Sequence, residues 1–268
     1  TLKFDTAYTG HTPFTARGTS AGGFSVAQAG AEIAVPLPPI GSDIFPIVSL
    51  EYRRYALDLD AGTPLPDRLH SLSTAFTVFT KLDANWSLLA SVSPGVRNAG
   101  STFSSKGFGG GALAIASRKF TPEFGAGFGF VYDSLSKGTG RILPVATFNW
   151  QPHPAWRVTL GFPRTGVIYT ASKTLDVEFT AEADFGSFYV QDDPLPGGRN
   201  KPALNRTRLE YQALRVGPAL AWRASPTLSA RASVGAVPLL RADYHQRNYR
   251  ATADRAAAYV SAALEWKF

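Results

Sequence analysis

The 268-residue sequence contains no cysteine and no methionine. Without cysteine, the chain has no disulfide framework and no thiolate for zinc or redox chemistry. No window holds 18 consecutive apolar residues, which excludes a transmembrane helix. The first residues, "TLKFDTAYTG", lack the basic and apolar segments of a leader. Together with the missing methionine, this predicts a mature chain from which a signal peptide has been removed.

The net charge is +7 and the pI is about 9.7. The basic residues are scattered along the chain and form no patch or motif, so we expect no nucleic-acid partner. No cofactor or metal is expected either, because the four histidines lack ligand spacing. A content of 25 glycines, 19 prolines and 12% aromatic residues favours an all-β chain with many turns.

Apolar and polar residues alternate along most of the sequence. In residues 173–185, Leu175, Val177 and Phe179 share one face with Ala181, Ala183 and Phe185, and acidic residues share the other. A soluble β-sandwich and a transmembrane barrel both alternate in this way. Many segments keep the pattern for about 10 residues, which is the length of a membrane strand rather than a sandwich strand. The pattern therefore favours the barrel.

Tight breaks at 81–86, 119–124, 151–156, 171–174 and 223–227 alternate with longer polar breaks such as 61–68 and 192–206. Short periplasmic turns and long outer loops have this asymmetry. The alternation requires one tight outer turn at Pro163–Gly166, between short strands at 156–162 and 165–171. Fourteen strands result, the first at 1–9 and the last at 254–268, although 12 are possible. Interrupted alternation predicts bulges at Arg53–Arg54 and Ala213–Leu214.

The five tryptophans all fall beside tight turns or in the final segment, and so at one end of the barrel. Tryptophan is typical of a membrane interface, because its ring contacts lipid while its N–H contacts water. The predicted interface girdle consists of Trp86, Trp150, Trp156, Trp222, Trp266 and Phe268. Residues 1–268 are thus expected to form a single all-β domain, a transmembrane antiparallel up-and-down β-barrel with both termini in the periplasm.

The last segment, "AAYVSAALEWKF", resembles the C-terminal strand of Gram-negative outer-membrane β-barrels. The stretch "WRVTLGFPRTGVIYTASKTLDVEFTAEADFG" (156–186) is similar to a family of uncharacterised porin-like outer-membrane barrels. The resemblance implies insertion into the outer membrane, contact with lipid and lipopolysaccharide, and recognition of the last strand by the barrel-assembly machinery. It implies no particular substrate.

Charged residues at predicted lumen positions are the candidate functional residues. They fit either a constriction that selects solutes or cross-strand ion pairs that hold the wall together. The candidates are Asp176, Glu178, Glu182, Asp184, Arg208, Glu210, Arg215, Arg231 and Arg241. Basic residues in the predicted outer loops are candidates for the phosphates of lipopolysaccharide: Lys106, Lys137, Arg199, Lys201, Arg247 and Arg250.

A porin-like passive channel for small hydrophilic solutes is the function that we expect, without enzymatic activity. A structural barrel that anchors or scaffolds an envelope complex of protein partners is the alternative. A third reading is an outer-membrane protease, because the pairs Asp58–Asp60 and Asp243–His245 resemble the active-site pairs of the omptins.

Overall fold

A computed structural model describes residues 1–102, 104–136, 141–161 and 164–268. They form one β-sheet of fifteen strand segments. The segments are β1 (Leu2–Ala16), β2 (Thr19–Pro36), β3 (Ile44–Leu59), β4 (Arg68–Lys81), β5 (Trp86–Ala99), β6 (Phe108–Lys119), β7 (Phe124–Asp133), β8 (Ile142–His153), β9 (Trp156–Gly161), β10 (Arg164–Thr170), β11 (Leu175–Val190), β12 (Thr207–Arg223), β13 (Leu228–Tyr244), β14 (Tyr249–Ala253) and β15 (Ala257–Trp266). No helix in this part of the chain is long and apolar enough to cross a membrane.

Each strand from β1 to β13 pairs antiparallel with the next, and β1 pairs with both β14 and β15 to close the barrel. Segments β14 and β15 occupy one position between β13 and β1, so the barrel has fourteen strand positions, as predicted. Closure leaves no long free sheet edge. In the last strand, Trp266 lies opposite Leu2 on one side and Leu228 on the other.

Four tight turns at one rim are built in the same way. A short polar side chain accepts hydrogen bonds from the backbone N–H groups two and three residues later, which replaces the missing ladder bonds. The acceptors are Asp83, Thr121, Ser172 and Ser225. The two N–H donors lower the pKa of the Asp83 carboxyl below its usual value. We call this end, with turns 82–85, 120–123, 154–155, 171–174 and 224–227, the short-turn rim.

Segments 60–67, 100–107, 191–206 and 245–248 join strands at the opposite end, the long-loop rim. The first hairpin extends further toward this rim than the sequence predicted, because β1 continues to Ala16 and turns at Arg17 and Gly18. Both turn residues have positive φ, 51° and 75°. A two-residue turn with positive φ at both positions has the same backbone twist as the two strands that it joins.

The barrel changes its strand number between the two rims. Strand β10 begins at Arg164, opposite Glu182 of β11. Strand β11 continues beyond this pair to Val190, so its last residues have no partner on β10. These residues pair with the top of β5, where Tyr189 lies opposite Asn98 and Val190 opposite Ala99. A ring of nine strand positions, β1–β5 and β11–β14, therefore closes near the long-loop rim. Strands β6–β10 complete the fourteen only below it.

The nine-strand ring encloses a packed core. Tyr55 on β3 contacts Phe188 on β11 and Tyr211 on β12, with ring centroids 5.8 and 5.2 Å apart. Phe14 stacks on Phe24 at 4.4 Å. Two loops add Leu65 and Leu204, both fully buried. Since side chains from opposite walls touch, the barrel axis is filled at this level.

The register differs from the predicted bulges. Strand β3 pairs with β2 and β4 through Arg53 and Arg54 without a shift. A shift does occur between Leu214 and Val216 in the pairing of β12 with β13. Gly166 is paired with Thr159 inside β10 rather than in a turn. The predicted turn residue Pro163 lies outside the described residues.

Candidate functional site

Below the packed core, inward-facing side chains surround a charged cavity of about 430 Å³. Its wall is formed mainly by β1, β11–β13 and β15. The charged residues that line this cavity are Lys3, Asp5, Arg53, Arg164, Glu178, Glu182, Arg215, Arg223, Arg231, Glu265 and Lys267. Seven of these are cationic and four are anionic. Three of the cations pair with carboxylates outside the lining, namely Asp176, Asp184 and Glu51, so the opposite charges balance.

The acidic face of β11 forms ion pairs across neighbouring strands. Glu178 accepts from Arg164 of β10 and, at 2.9 Å, from Nε of Arg231 on β13. Arg231 also donates to Thr180 at 3.1 Å and lies 3.8 Å from Glu182. Because Glu178 is buried and has two cationic partners, these contacts hold three strands together. Glu182 is the most exposed carboxylate of the group, so it is the one that remains available to solutes.

The other two predicted carboxylates are also paired. Arg223 binds Asp176 at 2.5 and 3.1 Å. Arg215 donates to Asp184 at 3.1 Å and to Gln28, and the Tyr55 hydroxyl donates to Asp184 at 2.9 Å. The Asp184 cluster thus joins the packed core to the charged cavity. Of the predicted lumen residues, the structure brings together Asp176, Glu178, Glu182, Asp184, Arg215 and Arg231.

The remaining candidates, Arg208, Glu210 and Arg241, lie on the opposite face of the sheet. Strand β11 pairs with β12 from Val190–Thr207 to Leu175–Trp222 without a shift, so residues 208 and 210 have the opposite orientation to Arg215. Arg241 lies opposite Gln212 and donates to its Oε1 at 2.5 Å. An extra residue at the predicted Ala213–Leu214 bulge would have turned Arg208 and Glu210 inward, but β12 pairs with β11 without one. Arg241 faces outward because the extra residue lies on β13, which advances three residues between Ala236 and Leu239 while β12 advances two.

Strands β5–β8 lean over this outer face and cover it. The Ser136 hydroxyl after β7 donates to Oε1 of Glu210 at 2.8 Å, and Arg208 donates to the Leu135 carbonyl at 3.2 Å. Between the two layers lies a cavity of about 670 Å³, which we call the amphipathic cavity. Its lining includes Leu89, Leu113, Ile115, Val131, Leu143 and Phe185, with Arg97, Asp133, Glu210, Gln212 and Arg241.

A middle cavity of about 260 Å³ lies between the charged and amphipathic cavities. It shares Arg164 with the charged cavity and Leu89 and Ile115 with the amphipathic cavity. The three cavities therefore adjoin. The middle and amphipathic cavities lie along the inner face of β5–β10, and the charged cavity meets the middle one at Arg164. They extend from Lys267 near the short-turn rim to Ser136 near the long-loop rim, beside the packed core rather than through it.

Glycines make room along this wall. A Cβ at Gly127 would lie 2.5 Å from Oγ of Ser117 and 2.7 Å from Oγ1 of Thr147. One at Gly129 would overlap the carbonyl of Ala114. The alternating run "GAGFG" (125–129) thus puts glycine on the inner face and Phe128 on the exposed outer face. Arg53 and Arg164 belong to the charged cavity but were not among the predicted residues.

The basic loop residues are partly engaged within the protein. Lys201 is buried and binds Asp193 at 2.8 and 3.0 Å. Arg247 donates to the Asn205 carbonyl at 2.9 Å, and Arg250 pairs with Asp243 at 2.8 Å. Lys106 and Arg199 remain exposed. Lys137 lies outside the described residues.

The five tryptophans all lie near the short-turn rim and point outward. Trp86 and Trp156 begin strands there, Trp150 and Trp222 lie near the ends of strands, and Trp266 ends β15. All five and Phe268 are exposed. Above them, the barrel exterior is apolar, with exposed residues such as Phe4, Phe76, Phe128, Leu220, Val234 and Val260.

A closed antiparallel barrel with an apolar exterior and a polar interior is a transmembrane β-barrel. Closure lets the backbone N–H and C=O groups of every strand form hydrogen bonds within the sheet, which lipid could not supply. The chain belongs to the family described as Domain of unknown function (DUF6268), whose model matches residues 44–267.

Among solved structures, the COG4313 outer membrane channel from Pseudomonas putida F1 is similar at TM-score 0.52 and 9% identity, covering 100% of this chain and 95% of that one. It shows the same barrel fold. The NanC porin is similar at TM-score 0.47 and 12% identity, covering 100% of both chains. Comparison with curated protein sequences found no match.

Proposed function

We propose that this protein is an outer-membrane channel that passes small hydrophilic solutes passively through the charged cavity and along the wall formed by β5–β10. The observation that carries the proposal is the series of adjoining cavities between the two rims. Their shared lining residues, Arg164, Leu89 and Ile115, mark where one cavity meets the next. The similarity to solved outer-membrane channels supports this reading of the fold.

The charged cavity is the proposed selectivity region. Its charged side chains interact with polar and ionic solutes, while the paired carboxylates keep the strands in register. Asp176, Glu178 and Asp184 mainly support the wall, because each is buried against an arginine. Glu182 is the group through which the cavity contacts solutes, since its side chain is 44% exposed and its ion pair with Arg231 is 3.8 Å long.

The placement in the membrane follows from the exterior. The tryptophans and Phe268 form the proposed interface girdle, with the short-turn rim and both termini in the periplasm. The apolar belt contacts lipid, and Lys106 and Arg199 are the loop cations proposed to meet lipopolysaccharide phosphates. The barrel-assembly machinery is the proposed partner of β15 during insertion.

A planar bilayer containing the purified protein tests the channel. Ser91 faces the amphipathic cavity and binds Oγ1 of Thr77 at 2.8 Å, whereas Ala90 is on the outer face of the same strand. We expect discrete conductance steps that Ser91→Trp reduces and Ala90→Trp leaves unchanged. A well-inserted barrel without conductance would instead favour the scaffold, and a stoichiometric co-purifying protein would support that alternative.

The geometry gives the protease alternative no support. Oδ2 of Asp60 binds Nε2 of His11 at 3.0 Å, and Asp243 binds Arg250. The two predicted pairs lie on β3 and near β13, which are separated by β2, β1 and β14. Asp60 and Asp243 thus contact His11 and Arg250, whereas an omptin-like site requires a carboxylate that orients His245.

A further inference from the structure

The amphipathic cavity has two kinds of wall at its two ends. Toward the short-turn rim it is apolar, with Leu89, Ile115 and Leu113 on one side. Toward the long-loop rim it is polar, with Arg97, Glu210 and Arg241. Its volume of about 670 Å³ is in the range of small-molecule sites, which are mainly apolar with a few placed polar groups.

The polar groups at the long-loop end are not equivalent. Arg97 and Asp133 neutralise each other at 2.8 Å. Glu210 accepts from the Ser136 hydroxyl. Arg241 differs, because its hydrogen-bond acceptor is the neutral amide of Gln212 and no carboxylate pairs with it in the part of the chain that the structure describes.

Arg241 also has an unused donor. Its Nε is buried and has no hydrogen-bond partner among the described residues. A buried guanidinium N–H without an acceptor is costly. An oxyanion in the cavity that Arg241 lines would balance the charge of the guanidinium. The planar guanidinium is suited to carboxylate, sulfonate or phosphate groups.

We infer that the amphipathic cavity binds an amphiphilic organic anion, with its acidic head on Arg241 and its apolar body against Leu113, Ile115 and Phe185. This deepens the proposed channel function, on which it rests only for the route by which the ligand arrives. A ligand bound here would lie on the proposed path, so among the small hydrophilic solutes the protein would favour anions that also carry an apolar end.

Equilibrium dialysis of labelled 4-phenylbutyrate against the protein in lipid nanodiscs tests the inference, with empty nanodiscs subtracted. We expect saturable binding that Arg241→Gln weakens at least about tenfold, because a charge-assisted hydrogen bond is lost. Leu113→Trp should abolish binding by filling the cavity. Arg250→Gln is the matched control: it removes an arginine from the same outer face but outside the cavity, and binding should persist.

Ligand analogues separate the two halves of the site. The neutral 4-phenylbutanol and the hydrophilic anion acetate should each bind much more weakly than 4-phenylbutyrate. Equal binding of 4-phenylbutanol, tighter binding of 4-phenylbutylamine, or no effect of Arg241→Gln on a folded barrel would overturn the inference. Dialysis needs no current, so a silent bilayer would contradict the channel alone, and absent binding by a conducting protein would contradict this site alone.

Discussion

The interior near the long-loop rim and the interior near the short-turn rim are built on the same strands but differ completely. On β3, Tyr55 packs against Phe188 and Tyr211, while Arg53, one inward position lower, forms an ion pair with Glu51 at 2.7 Å. On β12, Tyr211 belongs to the core and Arg215 to the charged cavity. The identity of the inward residues thus changes from aromatic to charged within one or two alternations.

The number of strands explains the difference. Barrel diameter grows with strand number, so a nine-strand ring is narrow enough for side chains to fill. Below the contact between β5 and β11, five more strands widen the barrel and leave space for the cavities. A narrow section favours apolar packing, whereas a wide section retains water and tolerates charge.

The largest expected effect is in the packed core. Phe24 is completely buried and stacks on Phe14. We expect Phe24→Ala to lower the free energy of unfolding by about 3–5 kcal/mol, because it leaves a cavity among side chains that cannot collapse. Phe128→Ala is the matched control, since Phe128 is 69% exposed on the outer face. Denaturant unfolding in detergent measures both, and equal losses would show that the core is not packed.

The next effect is in the Asp184 cluster, between the two regions. We expect Arg215→Gln to destabilise the barrel by about 3 kcal/mol, because the buried Asp184 carboxylate loses its cationic partner. Adding Asp184→Asn should restore part of the loss, as a double-mutant cycle would show. Lys267→Gln, which removes an exposed 3.6 Å pair with Glu265, should cost less than about 1 kcal/mol. If Arg215→Gln and Lys267→Gln lowered the free energy of unfolding equally, the Asp184 cluster would be exposed to water.

A smaller effect separates the wide interior from the exterior. Val260 is 50% exposed on the outer face of β15, and Ala263 lines the charged cavity on the same strand. We expect Val260→Arg to cost about 2 kcal/mol in lipid vesicles, because it places a charge in the apolar belt. Ala263→Arg should cost much less. A larger cost for Ala263→Arg than for Val260→Arg would mean that Ala263, and not Val260, faces lipid.

The smallest effect is local to the 191–206 loop, which supplies Leu204 to the core. Hydrogen bonds from Lys201 and from the backbone N–H groups of Leu195 and Leu204 outweigh burial and lower the pKa of Asp193. A lowered pKa stabilises the loop fully above the usual value of 3.8, and this stability is lost as pH falls through the lowered value. The protection of the loop amides, measured relative to their intrinsic exchange rates, should therefore stay constant down to about pH 4 and fall below it. Asp193→Asn should give faster exchange without this pH dependence.

Much of the barrel could be predicted from the sequence, because its signals are local. Period-two alternation separates Phe179 from Glu178, and the tight turns contain the capping residues Asp83, Thr121, Ser172 and Ser225. Fourteen strand positions follow from the alternation of these turns with longer loops. The same alternation predicts the hairpin of β9 and β10, although no polar loop separates these two strands in the sequence.

The remaining features depend on contacts between distant residues. The pairing of 98–99 with 189–190 narrows the barrel, and nothing in either segment alone indicates it. Without that contact, Tyr55 and Phe188 look like ordinary lumen positions. The face of Glu210 depends on whether β12 bulges and the face of Arg241 on whether β13 does, and one residue of register reverses each. The strand segment 249–253 was predicted as loop, because five residues with Arg250 at their centre are stabilised only by β1 and β13.

The most direct test of the central claim uses single cysteines, since the chain has none of its own. Ser117 lines the middle cavity, and Thr9 is an inward residue that is 2% exposed at the edge of the packed core. A charged methanethiosulfonate reagent should reduce the bilayer current of Ser117→Cys and leave that of Thr9→Cys unchanged. Block of Thr9→Cys with an insensitive Ser117→Cys would place the path on the barrel axis and contradict the account.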